Sequence, residues 1–369
     1  MMKNSTKIWI LASQILVLWL LVFALEQFPG VVRWYSFSLY PVLQTARNSV
    51  FSRTSVSVGD VLYFLLGLWL LVSLVRFVYF TSRWRRHKER VSGIVLNGLN
   101  SFLAVYIVFI VFWGANYSKE PLARFWGLPS ASKGSRQERR AQDLAVTVAV
   151  NKFLVGKLNR CAPNYRILPY THINDRSVAY YREYTNCNVK DGGLGVKVSL
   201  YSGLMQWMSV DGYYNPLTAE GQVNDKVPGF MMPFITCHEM AHQAGIAAEG
   251  DANLMAYAVC THGNDEIFKY SAYLNLWLYA NNRLYRYDSG MANGYQRQLN
   301  ALTLRHLDTL EAISAAHRGY LAHFTSNVYD SYLKLQNQEN GIRSYGNVTR
   351  EAWLLEQARA TGRKFIKIP

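Results

Sequence analysis

The chain has 369 residues, with 39 Lys and Arg against 24 Asp and Glu, and its formal net charge is +15. Half of the residues are apolar and only 17% are charged, which excludes a disordered or coiled-coil protein and leaves material for a sizeable core. A basic chain can bind nucleic acid. Here the basic residues are densest beside apolar runs in the first third of the chain, so we expect no nucleic-acid partner.

Three apolar runs, at residues 8–25, 61–80 and 94–113, have the length that a helix needs to cross a bilayer, about 20 residues each. They predict a transmembrane region over residues 1–116, whose partner is the lipid bilayer. A polar, basic stretch predicts a linker at 117–140, and residues 141–369 then form a separate domain.

The orientation follows from five basic residues at 83–90, between the second and third runs. Basic loops stay in the cytoplasm, so alternating spans place everything after residue 116 on the other side. We therefore expect a multi-pass plasma-membrane protein with an extracytoplasmic C-terminal domain. All four cysteines fall in that domain, where disulfides can form, and Cys161 with Cys187 is the first choice among three connectivities.

The C-terminal domain is predicted to be α+β and mostly helical. An amphipathic pattern predicts a helix at 141–158. Alternating β-prone pieces at 165–168 and 196–200 predict a small sheet, and the polar segment 212–216 predicts a loop that leads toward the site. Helical periodicity returns in five segments, at 234–244, 249–261, 267–287, 296–322 and 350–360.

The motif that indicates chemistry is His238-Glu239-Met240-Ala241-His242. Residues four apart share one face of a helix, so both imidazoles can bind one zinc ion, while Glu239 points toward the position of a water. A catalytic zinc takes three protein ligands. The alternative interpretation is a helix that carries two partly exposed histidines.

Glu249 is the predicted third ligand. An unbroken helix would carry it about 10 Å beyond the histidines, at 1.5 Å per residue. Gly245 is well placed to end the helix and turn the chain back, so that a second helix presents Glu249 to the ion. Asn253, one turn further, could orient this carboxylate. Asp251 points elsewhere, and His262 lies near the far end of the second helix.

These residues resemble the zincin metallopeptidases, and Glu249-x-x-x-Asn253 resembles the Glu-x-x-x-Asp element of their glutamate-ligand branch, with asparagine in place of the usual aspartate. More closely, the chain resembles a family of bacterial membrane proteins that is catalogued as a domain of unknown function and regarded as zinc peptidases. That likeness covers most of the chain and includes the zinc motif together with Trp113-Gly-Ala-Asn-Tyr117, Ser202-Gly-Leu-Met205, residues 212–216 with Glu220 and Asn224, and Ser344-Tyr-Gly346. It implies a zincin-like domain and Zn²⁺, and it names no substrate.

The expected function is a membrane-tethered zinc metallopeptidase that hydrolyses peptide bonds of a protein or peptide substrate. Glu239 is the general base for a metal-activated water. Tyr345 is the predicted donor to the developing oxyanion, with His317 and His323 as alternatives. The strand at 196–200 either binds an extended substrate or is structural. Two other functions stay open: a non-catalytic zinc-binding or sensor module, and a cell-wall hydrolase.

Overall fold

A computed structural model describes residues 3–52, 54–130, 134–184, 194–319, 322, 324–328, 331 and 345–363, without the side chains of residues 85, 345 and 346. Contacts divide the chain into two compact units. The first comprises Met1–Lys119 together with Asn215–Glu220, and the second comprises Glu120–Tyr214 together with Gly221–Pro369. The chain therefore crosses from one unit to the other three times.

The first unit is built on three long apolar helices. They are α1 (Asn4–Gln27), α4 (Val58–Thr81) and α5 (Trp84–Phe112), joined between the first two by α2 (Pro29–Trp34), a π-helical turn (Tyr35–Leu39) and α3 (Tyr40–Phe51). Their most apolar windows are 0%, 0% and 6% buried, so the apolar side chains face outward. Such surfaces need an apolar surrounding, and three helices of this length and composition indicate a membrane protein.

The second unit is mostly helical. Its helices are α6 (Leu122–Phe125), α7 (Arg136–Cys161), α8 (Tyr170–Tyr184), α9 (Ser202–Trp207), α10 (Met232–Gln243), α11 (Glu249–Cys260), α12 (Glu266–Tyr287), α13 (Ser289–Gln296), α14 (Ala301–His317) and α15 (Tyr345–Ala360). The core centres on α10 and α11, whose side chains are almost all buried, and on the buried face of α12. α7 and α15 pack against this centre, so the hydrophobic effect holds α10 and α11 in fixed positions.

A three-stranded sheet completes the second unit. It consists of β1 (Val196–Val198), β2 (Gly212–Asn215) and β3 (Glu220–Val223), in the order β1-β3-β2. β1 runs parallel to β3, with Val196 opposite Gly221 and Val198 opposite Val223. A short turn joins β2 and β3 into a hairpin. The predicted α+β class, mostly helical with a small sheet, is confirmed.

Three predicted elements differ from the structure. Residues 165–169 form no strand, and α8 fills much of the predicted sheet region, because Ile173, Ser177 and Tyr181 repeat at helical spacing and are buried. The predicted loop at 212–216 forms strand β2. The predicted helix at 296–322 is divided, because the side chain of Asn300 caps a new helix by accepting from the Thr303 amide.

Among the described residues, Cys161, Cys237 and Cys260 are buried and form no disulfide with one another. The predicted partner of Cys161, Cys187, lies outside the described residues, so that pairing stays a prediction. Burial, helped by a hydrogen bond to the Glu266 carboxylate, raises the pKa of the Cys161 thiol to about 12. As a free thiol, Cys161 is therefore packed and protonated.

Candidate metal centre

Helix α10 presents two histidines on one face. The helix begins beside Pro233, whose missing amide costs nothing in a first turn, and the Ser271 hydroxyl accepts a hydrogen bond from the Phe234 amide at 3.1 Å. The rings of His238 and His242 lie 4.7 Å apart and nearly perpendicular. The predicted spacing therefore brings both imidazoles together, as one turn of helix requires.

The chain turns back at Gly245, as predicted. Gly245 has φ +82°, in the left-handed region. Its amide donates to the His242 carbonyl at 2.9 Å, and the Ile246 amide donates to the Ala241 carbonyl at 3.1 Å. These two bonds form a Schellman motif, which ends the helix and reverses the chain. α11 then begins at Glu249.

Glu249 completes the group. Its Oε2 lies 3.2 Å from Nε2 of His238, and its Oε1 lies 3.4 Å from Nε2 of His242. Ligand atoms of the three residues all lie within 4.8 Å of one another. In a tetrahedral site with bonds of about 2.1 Å, neighbouring ligand atoms are about 3.4 Å apart. The donor set and its spacing therefore fit a zinc ion.

The ring of His242 is oriented by the turn that follows it. Nδ1 of His242 lies 2.7 Å from the Ile246 carbonyl and donates to it, so Nε2 is the ring nitrogen that faces Glu249. A backbone carbonyl is a common partner for the second nitrogen of a metal-binding histidine. Nδ1 of His238 is buried and has no hydrogen-bond partner among the described residues.

Opposite charges face each other in the donor group. Burial raises the pKa of the Glu249 carboxyl, but the two histidines outweigh burial and hold that pKa well below its usual range. Burial lowers the pKa of His242, but the Glu249 carboxylate outweighs it and raises the pKa to about 9. The carboxylate thus favours positive charge at Nε2 of His242, which is the charge that a cation would supply.

Glu239 has a different environment on the same helix. It is 3% exposed, and its Oε2 has no hydrogen-bond partner among the described residues. Burial raises its pKa to about 7, Glu249 adds to this effect, and the two histidines oppose it. A carboxyl with a pKa near neutrality is suited to accept and return a proton.

The hairpin lies directly against Glu239. A Cβ atom on Gly212 would lie 2.5 Å from Oε1 of Glu239 and 2.8 Å from the Gln222 carbonyl, and one on Gly221 would lie 3.3 Å from Cβ of Glu239. Only glycine allows β2 to approach the carboxylate this closely. The predicted contribution of segment 212–216 to the wall of the site is thus seen as strand β2.

Tyr214 is a residue of the site that the sequence did not single out. Alternation along β2 places it on the same side of the strand as Gly212, and its ring centroid lies 6.4 Å from that of His242. In the sequence it stood out only as part of the polar segment 212–216. β1, which was predicted as a substrate strand or a structural strand, lies at the other edge of the sheet, and Gln243 bonds both backbone groups of the adjacent Gly195.

Three other residues on or beside α11, Asn253, Asp251 and His262, have different surroundings from Glu249. Asn253 is buried one turn after Glu249, and its amide nitrogen has no hydrogen-bond partner among the described residues. Its orienting role stays a prediction. His262 lies 3.8 Å from the Glu183 carboxylate, and Asp251 and His262 are both outside the donor group.

The structure describes the side chain of only one of the three candidate oxyanion donors. Tyr345 begins α15, but its side chain lies outside the described residues, as does His323. His317 ends α14, where its ring contacts Trp207 at 4.9 Å and its Nδ1 bonds the Ile313 carbonyl at 2.9 Å. The structure thus assigns no donor among these three residues.

Comparison with known proteins gives one match. The model of a family described as "Protein of unknown function (DUF3810)" matches residues 35–352, a range that includes the donor group, Glu239 and the hairpin. No curated protein and no solved structure matches the chain.

Proposed function

The chain belongs to the DUF3810 family, and we propose from the chemistry of its metal centre that it is a zinc-dependent metallopeptidase. The observation that carries this proposal is the Glu249 carboxylate within 3.4 Å of both Nε2 atoms, with Glu239 buried beside them on the same helix. A structural site would not need that second carboxylate. Such a pair of acids, one a ligand and one a base, is what hydrolysis requires.

His238, His242 and Glu249 would hold the ion. Among the described residues, no fourth His, Cys, Asp or Glu joins them. Three protein ligands leave a position open for a reacting group, which is typical of catalytic rather than structural zinc. A zinc ion bound there would lower the pKa of water to about 7 and polarise a peptide carbonyl.

Glu239 is the proposed general base. Its Oε2 has no hydrogen-bond partner among the described residues, so it can accept a proton from the attacking water. The proton can then pass from the same carboxyl to the leaving amine, because the pKa of about 7 makes both transfers accessible near neutral pH.

A donor to the developing oxyanion completes the proposed site. Tyr345 stays the donor predicted from the sequence. Tyr214 is a second candidate, because β2 places its ring beside His242. A phenol hydroxyl near a ligand of the ion can stabilise negative charge on a substrate oxygen.

We further propose that the second unit is extracytoplasmic and tethered to the plasma membrane. The basic residues at 83–90, at the start of α5, support this orientation. Tethering favours protein or peptide substrates near the membrane surface, since the linked site samples only that layer.

The test begins with metal content. The full-length protein, purified in detergent, is expected to hold one zinc per chain by mass spectrometry, and Glu239→Gln should hold the same amount. His238→Ala and Glu249→Ala should lose it, because each removes a ligand. A native protein without stoichiometric zinc would contradict the proposal.

Activity is then compared on a peptide library. Native protein should cleave peptides, Glu239→Gln should not, and Glu311→Gln, a change at an exposed position on α14, should match the native protein. Zinc binding without any cleavage would favour a non-catalytic zinc or sensor module. Cleavage of peptidoglycan fragments but not of peptides would favour a cell-wall hydrolase.

A further inference from the structure

The turn of the β2–β3 hairpin belongs to the first unit, although the strands on both sides of it belong mainly to the second. The turn has a defined shape. The side chain of Asn215 accepts hydrogen bonds from the amides of Leu217 at 2.9 Å and Thr218 at 3.2 Å, and Ala219 has φ +62°. A left-handed alanine is unfavourable, so surrounding contacts must stabilise it.

The strongest of these contacts is made by Glu220. Its Oε2 accepts from the Gly59 amide at 2.7 Å, and its Oε1 accepts from the Val58 amide at 3.2 Å. Val58 and Gly59 are the first residues of α4, where backbone amides lack partners within the helix. Glu220 is 3% exposed, and the helix dipole favours its negative charge. The carboxylate thus joins the hairpin to the start of an apolar helix.

α3 holds the turn from another side. Nε2 of Gln44 donates to the Ala219 carbonyl at 3.4 Å, and the guanidinium of Arg47 donates to the Pro216 carbonyl. Arg47 also donates to the Phe112 carbonyl at the end of α5 at 3.2 Å. Gln44 and Arg47 are both buried. Buried polar groups that satisfy one another in this way define a single arrangement of the turn.

One glycine from each strand contacts Glu239. Gly212 and Gly221 pack on Glu239 with no space for a methyl group at Gly212. The hairpin has few residues between its turn and these glycines, so the position of the turn sets their position. A displacement of about 1 Å at a catalytic group is enough to lower a rate about 100-fold.

We propose that Glu220 is a positioning residue for the metal centre. By fixing the hairpin turn to the start of α4, its carboxylate holds β2 and β3 against Glu239. The first measurement below does not depend on the proposed function, and the second rests on it.

The first measurement is amide hydrogen exchange in the full-length protein in detergent. Glu220→Gln keeps the size of the side chain but replaces one acceptor oxygen with a donor that faces the Gly59 amide. Amides at 212–214 and 221–223 should exchange about tenfold faster than in the native protein, and those of α14 should not change. Glu138→Gln is the matched control, because Glu138 also accepts a backbone amide at a helix start, from Ser135 at 2.7 Å on α7.

The second measurement is metal release. With cobalt in place of zinc, a chelator should remove the ion from Glu220→Gln about threefold faster or more, because β2 places Tyr214 beside His242 and a loosened strand exposes the ligands. Glu138→Gln should release cobalt at the native rate. If the native protein binds no cobalt, the proposed function fails, while the exchange measurement still decides the role of Glu220.

A second variant covers the case in which Glu220→Gln does not fold. Arg47→Lys removes the planar fork that contacts Pro216 and Phe112, and should produce the same local pattern at 212–214 and 221–223. Native exchange in these strands in both variants would overturn the proposal. A uniform rise across both units would overturn it as well, because Glu220 would then contribute only to overall stability.

Discussion

Replacing Glu239 with glutamine is expected to stabilise the metal-free protein at alkaline pH. The fold buries this carboxyl, which raises its pKa from 4.5 to about 7. Glutamine has nearly the same shape and no charge, so the variant avoids the cost of ionising the group in a buried position. A catalytic side chain that reduces stability is typical of a functional site.

The sign and the size of this stabilisation follow from the linkage between folding and ionisation of Glu239. Below pH 4.5 the carboxyl is protonated in the folded and unfolded states, so it makes no difference between them. As the pH rises toward 7, the unfolded state ionises while the folded state keeps its proton, and folding loses free energy over this window. A rise from 4.5 to about 7 corresponds to about 3 kcal/mol at about 1.4 kcal/mol per pH unit.

Thermal unfolding in detergent with a chelator measures the effect. Near pH 8.5, the midpoint of Glu239→Gln should exceed that of the native protein by about 6 to 12 °C, from about 2 to 4 °C per kcal/mol. Near pH 5, the difference should fall to about 1 to 3 °C. Glu311→Gln is the control, and should follow the native protein at both pH values. If the unfolding midpoints of the native protein and Glu239→Gln changed with pH in the same way, the raised pKa of the Glu239 carboxyl would be refuted.

Three further substitutions test the surroundings of the site. Gly212→Ala should destabilise the protein by about 1 to 3 kcal/mol and lower the rate of peptide cleavage about 100-fold with zinc retained, because the added methyl group meets Glu239. A native cleavage rate would contradict the close approach of β2 to Glu239. Gly245→Ala should lower the free energy of unfolding by about 1 to 2 kcal/mol, because alanine is unfavourable at φ +82°. It should also weaken zinc binding in a chelator titration. Unchanged zinc affinity would show that the turn does not position Glu249. Tyr214→Phe should lower kcat about 100-fold with KM and zinc content unchanged, and an unaltered kcat would exclude the hydroxyl as the oxyanion donor.

The donor group was predictable because it is local. His238 and His242 are related by one turn of helix, and Gly245 ends that helix by the backbone chemistry that glycine supplies. Both rules act over a few residues, so the position of Glu249 follows from sequence. The three apolar helices were predictable for a similar reason, since length and composition alone define them.

The environment of Glu239 was not predictable, because it depends on residues far away in the chain. Gly212 and Gly221 reach Glu239 only through the sheet, and a polar segment with two tyrosines gave no sign of a strand. α8 was missed because polar residues interrupt its apolar face, so that tertiary packing decides its structure. The contact of Glu220 with the start of α4 is of the same distant kind.

The two carboxylates of the site show how one short segment holds two acids in opposite electrostatic surroundings. Glu249 faces two imidazoles, and their positive charge keeps its pKa well below the usual range. Glu239 lies beside glycines that bring no charge and exclude water, and its pKa rises to about 7. Groups whose surroundings drive their pKa values apart divide the work of a reaction between them. The ionised acid can bind a cation at any neutral pH, while the other can exchange a proton. The helix and its glycine turn supply the first environment, and the hairpin supplies the second, so the proposed division of roles requires the hairpin to be in place.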